Sequence, residues 1–127
     1  MKRAFNKAQF PPAPYLSVCI RNADLGLTSH TKDGLVDTGA DTTIVPLEWL
    51  DQVEAAVEGH AVVHGLWGGV RSVNVYVVDV IIEGITFPGV VVIADETDDD
   101  VLLGRDVLNR MKIVLDGFKE QIEIVGY

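Results

Sequence analysis

Residues 35–41 read Leu35-Val36-Asp37-Thr38-Gly39-Ala40-Asp41. An apolar pair runs into an aspartate, and a glycine follows two residues later. Asp and Gly commonly form the turn that ends a strand. A carboxylate at such a place is also suited to chemistry, because the strand behind it holds it still. The flanking sequence decides between the two readings.

Upstream, Tyr15 to Ile20 alternates as a strand does, Arg21 to Gly26 and Lys32-Asp33-Gly34 read as turns, and Gly34 to Val36 begins the strand that enters the motif. Met1 to Pro14 reads as a flexible basic arm with prolines at 11, 12 and 14, which leaves residues 15–127 as the folded domain. Downstream, Thr42 to Val45 is short and β-branched, hence a strand. Pro46 suits the first turn of a helix, and Leu47, Leu50, Val53 and Val57 recur at helical spacing up to Gly59. Ala61 to His64 and Val70 to Ile82 then flank Gly65-Leu66-Trp67-Gly68-Gly69, a glycine-tipped hairpin. Ile85 to Phe87 and Val90 to Ala94 are two further strands, and Asp95 to Asp100 is an acidic loop. Val101 to Leu103 ends at Gly104, Arg105 to Met111 reads as one or two helical turns, and Ile113 to Leu115 with Ile122 to Val125 makes a closing hairpin turned near Asp116-Gly117. The expectation is an all-β domain, a small closed barrel or a sandwich, with one or two short helices.

Composition narrows the function classes. The chain has 127 residues, 48% of them hydrophobic, enough for one cored domain. A net charge of −9 argues against nucleic acid and against an anionic membrane surface. The single cysteine, Cys19, allows no intrachain disulfide and reads as a small core residue. No uninterrupted apolar stretch marks a signal peptide or a membrane span, so a cytoplasmic protein is expected.

Two stretches together resemble the single-domain aspartic proteases of the retropepsin type, found in retroviruses and prokaryotes. They are G-L-V-D-T-G-A-D-T-T-I-V-P at Gly34 to Pro46 and V-L-L-G-R-D-V-L-N-R-M at Val101 to Met111. The resemblance spans roughly Tyr15 to Leu115. It implies an acid-protease barrel acting as a homodimer on peptide or protein substrates, without cofactor or metal. It makes Asp37 catalytic, with Thr38 cross-linking the two active-site loops and Gly39 and Ala40 completing the loop. It gives Asp41, Leu66, Trp67, Gly68 and Leu102 to substrate binding, with Leu66 to Gly68 in a flap. Leu103, Gly104 and Arg105 support the loop from below, and Arg105 is expected to pair with Asp41. Only one D-T-G occurs, so the second carboxylate must come from a second copy.

Other features read more plainly. His60 and His64 share the spacing of a helical zinc pair, but strand-forming residues surround them, and on a strand they stand too far apart to share a metal. Asp95 to Asp100 lacks the glycine and terminal glutamate of a calcium loop. Trp49 is expected in the core. The rival reading is a retropepsin-fold dimerisation or peptide-binding domain that cleaves little or nothing.

Overall fold

The computed structural model describes residues 1–64 and 68–127. Strands β2 (Tyr15–Asn22), β4 (Lys32–Val36), β5 (Thr43–Pro46), β7 (Val70–Ile82), β8 (Ile85–Asp95) and β9 (Val101–Leu103) form a closed ring, in the order β2-β4-β9-β5-β8-β7 and back to β2. β3 (Leu27–Thr28) and β6 (Gly59–His64) extend it at its margins. A separate three-stranded sheet has the order β1 (Lys2–Ala4), β11 (Gln121–Gly126), β10 (Lys112–Asp116). The fold is all-β with two short helices, α1 (Leu47–Gln52) and α2 (Arg105–Leu108). No helix among the described residues is long and apolar enough to cross a membrane.

The ring encloses the core because its strands alternate. Leu16, Val18 and Ile20 of β2 are wholly buried while Ser17 and Cys19 between them are not, so Cys19 lies outside the core it was expected to join. Val80, Ile82, Val90, Val92 and Leu103 fill the same interior, capped by Trp49 and Leu50 of α1 and by Ile122 and Ile124 of β11.

Several elements depart from the expected boundaries. Lys32-Asp33-Gly34 is not a turn: these residues pair with Val18, Ser17 and Leu16. Gly34 is there for close packing, since a Cβ would stand 2.9 Å from both Val18 and Val101 side chains. The α1 helix stops at Gln52 rather than near Gly59, because Glu54 turns left-handed (φ 54°) and the Asn22 side-chain amide takes the Val53 carbonyl at 3.0 Å. Val57 is therefore an exposed loop residue and Gly59 opens β6. Ile85 to Asp95 is one strand, whose partner register slips between Val78 and Val80 opposite Pro88-Gly89. The N-terminal stretch expected to be a free arm supplies β1, where Lys2, Arg3 and Ala4 pair with Glu123, Ile122 and Gln121. Arg3 fixes it further through Asp33 at 2.6 Å and Glu83 at 3.3 Å. Composition marks Met1 to Pro14 as an arm, but strand pairing is set by a partner over a hundred residues away.

Candidate active site

The site is built where β9 passes between β4 and β5. β9 runs parallel to β4, with Leu35 beside Leu102 and Val36 beside Leu103, and antiparallel to β5, with Leu102 beside Ile44. The chain leaving β4 must therefore arch over the end of β9 before returning as β5. That arch is Asp37 to Thr42.

Backbone bonds fix its shape. The Asp37 amide donates to the Leu103 carbonyl at 3.0 Å, and the Arg105 amide donates to the Ala40 carbonyl at 2.8 Å. The Gly39 amide donates to Asp37 Oδ1 at 2.9 Å, which orients the carboxylate. Asp37 is half-buried, while Thr38 and Gly39 are exposed at the top of the arch. Gly104 lies beneath it, where a Cβ would meet the Thr42 backbone at 2.6–2.9 Å. No side chain fits there, so the glycine of the Leu102-Leu103-Gly104 run is a steric requirement.

Arg105 supports the arch in a different way from the one expected. Its guanidinium donates to the Thr38 carbonyl at 2.7 Å, and no ion pair with Asp41 forms among the described residues. Both side chains are exposed in the single chain, so water satisfies each charge and neither needs the other.

The buried polar support comes instead from Thr43 and Asp106, which the sequence reading passed over. Thr43 is wholly buried. Its hydroxyl donates to Asp106 Oδ1 at 2.6 Å and accepts from the Gly104 amide at 3.1 Å, while its amide donates to Asp106 Oδ2 at 3.0 Å. Asp106 Oδ1 also accepts from the Val107 amide at 2.8 Å. A signal existed: a threonine on the inward phase of a β-branched strand needs a polar partner.

Two clefts lie along the strands that carry the arch. One, of about 360 Å³, is walled by Gly39 to Thr42, by Ile44 and Ile93, and by Ala61 to His64 of β6. Asp41 thus faces open space beside the loop. The other, of about 230 Å³, is lined by Leu35 and Leu102 with Tyr15, Gln9 and Asp100. Leu66 and Trp67 lie outside the described residues. Gly68 is exposed, with φ 87° and open space around it, at the start of the segment leading into β7.

Burial pushes the Asp95 carboxyl up, but the Asp98 and Thr97 amides, the Thr97 hydroxyl and the nearby Arg71 charge outweigh it and hold the group below its ordinary value. His60 and His64 are both exposed on β6. No cluster of three or more metal-ligating side chains occurs among the described residues.

No curated relative matches the chain. A family model, that of gag-polyprotein putative aspartyl protease, matches residues 24–110. That span takes in the arch, the β6–β7 hairpin, β9 and α2, and stops short of β10 and β11. By this match, and by the all-β ring that carries the arch, the chain belongs to that family and is a retropepsin-like aspartic protease by kinship.

Proposed function

We propose that the protein is an aspartic endopeptidase whose active form is a homodimer, with Asp37 of each chain meeting at the two-fold axis. The observation that carries this reading is the half-buried Asp37 carboxylate, held at the top of a rigid arch in the one D-T-G of a family-matched chain. Two such carboxylates at close range cannot both ionise and so share a proton. The ionised one takes a proton from water, and the protonated one donates to the scissile carbonyl. Thr38, exposed beside Asp37, links the two arches across the axis. The β6–β7 hairpin acts as the flap, with Leu66, Trp67 and Gly68 closing over an extended substrate and excluding bulk water.

The two clefts give the substrate its footing. Leu35 and Leu102 form an apolar floor for a side chain near the scissile bond, with Asp100 adding negative charge at its rim. Asp41 meets the substrate backbone from the other cleft. No cofactor or metal takes part in this mechanism. A cytoplasmic setting accords with the lone cysteine.

The test is a peptide-library cleavage screen at acid and neutral pH on the wild type and Asp37→Asn. The wild type is expected to cleave, and Asp37→Asn to lose at least about a hundredfold in kcat/KM with unchanged sedimentation. Full activity in Asp37→Asn refutes the catalytic assignment. A well-folded wild-type dimer that cleaves nothing in the screen favours a peptide-binding domain instead.

A further inference from the structure

The acids of residues 95–100 are not equivalent. Asp95 is used within the loop, where its carboxylate accepts from the Thr97 and Asp98 amides. The Asp99 carbonyl accepts from Lys32 Nζ at 2.7 Å, on the side of a separate cleft lined by His30 and Trp49. Asp100 forms no ion pair among the described residues, and it lines the cleft of about 230 Å³ whose floor is Leu35 and Leu102. Val101 and Leu103 are buried in the core, so Asp100 and Leu102 share the outer phase of the strand, as alternation requires. Other carboxylates on this side of the ring already have a cation. Gly34 runs beside Val101, which brings Asp33 along β4 near Asp100. Asp33 is held by Arg3 at 2.6 Å, and the same guanidinium takes Glu83 at 3.3 Å. No lysine or arginine lines this cleft or the one beside Asp41.

We propose that this cleft selects peptides with lysine or arginine beside the scissile bond, and that Asp100 is the residue that determines the choice. This rests on the endopeptidase reading above and names the substrate class that the reading leaves open. The cleft joins an apolar floor, Leu35 and Leu102, to a polar end, Asp100 and Gln9. Lysine and arginine have the matching anatomy, since they lay an aliphatic stem on apolar surface and keep the charged head at its wet margin. A purely aliphatic side chain fills the floor but gains nothing from the carboxylate, and a glutamate meets like charge. In a homodimer the cleft occurs twice, once for each side of the bond, so a basic residue at either flanking position is served. Asp100 is exposed, so its pairing with the substrate has the strength of a surface ion pair, about fivefold in kcat/KM, and is felt most in the encounter at low salt.

Matched peptides carrying Lys, norleucine or Glu at each residue flanking the scissile bond test the assignment, with kcat/KM measured for the wild type, Asp100→Asn, Asp100→Lys and Asp98→Asn. Norleucine keeps an aliphatic stem without the charge. The wild type should favour Lys over norleucine about fivefold at low salt, less at high salt, and should take Glu least. Asp100→Asn should bring Lys and norleucine level, and Asp100→Lys should favour Glu. Asp98→Asn removes the same charge from the same loop at a residue that lines neither cleft, and should keep the wild-type preference. The same peptides are also bound to Asp37→Asn, with and without Asp100→Asn, and Kd is read by fluorescence anisotropy, which needs no turnover. Cleavage with norleucine equal to Lys, or a Lys preference that survives Asp100→Asn, overturns the role of the cleft and leaves the paired-Asp37 mechanism standing. A Lys preference in binding that Asp100→Asn removes, with no peptide cleaved by the wild type, supports the cleft and overturns the endopeptidase reading. A chain that neither binds nor cleaves any of the peptides overturns both.

Discussion

Thr43 and Arg105 hold up the same arch by different physics, and they should respond differently to substitution. The Thr43 hydroxyl is wholly buried and serves the Gly104 amide and Asp106 at once. Thr43→Val keeps the shape but strands a buried amide, so we expect a loss of about 1–3 kcal/mol in urea unfolding, with much of it recovered in Thr43→Ser. Arg105 is exposed and makes one charged hydrogen bond to the Thr38 carbonyl. Arg105→Leu is expected to cost about 1–2 kcal/mol, well short of the roughly 3–5 kcal/mol of a broken buried pair. Asp41→Asn should give no rescue, and a double-mutant cycle that finds strong coupling would restore the expected ion pair. The place of Asp37 at the end of an apolar strand was legible from the local pattern, because Leu35-Val36 runs straight into Asp37-Thr38-Gly39 and β4 ends at Val36. Thr43 showed only as an inward-facing threonine in need of a polar partner, and that the partner is Asp106 was not legible, because a hydrogen bond between residues 63 apart leaves no local pattern.

At the scale of elements, the acidic loop after β8 shows how a charged run can be built rather than merely solvated. Asp95 Oδ1 accepts from the Thr97 amide at 2.9 Å, the Thr97 hydroxyl at 3.0 Å and the Asp98 amide at 3.0 Å. Its depressed folded-state pKa means that the ionised form is favoured by folding. This contribution is fully present above the ordinary value of 3.8 and is lost as pH falls from there through the lower folded value. Amide exchange at Thr97 and Asp98 should therefore stay slow at pH 4–6 in relative terms and accelerate below that window. Asp95→Asn should lack the acid step, and an identical profile in both proteins would refute it. The strands themselves were read well where alternation is strong, as in β7, whose bounds were legible to the residue. The reading failed where a distant partner decides. A tertiary contact from Asn22 truncates α1, β2 recruits Lys32 to Gly34, and β11 recruits Lys2 to Ala4.

For the whole molecule, the proposed mechanism needs two carboxylates and the closed ring presents one Asp37 per chain. Specific activity should therefore fall on dilution below the dimer dissociation constant, with rate approaching the square of enzyme concentration. Thr38→Ala should move that fall to higher concentration, as read by an activity dilution series beside sedimentation. Strict proportionality at all concentrations would count against a shared site. The passage of β9 between β4 and β5 also constrains how the molecule comes into being. Residues 101–103 must slot between strands that precede them by more than fifty residues. Contacts so distant along the chain carry a large loop-closure cost and form slowly. The Leu103 carbonyl that holds Asp37, and the Gly104 on which the arch rests, follow β4 and β5 by more than fifty residues. A nascent chain that ends before residue 103 thus has no shaped arch, and the loop from Asp37 to Thr42 acquires its form only as the ring closes.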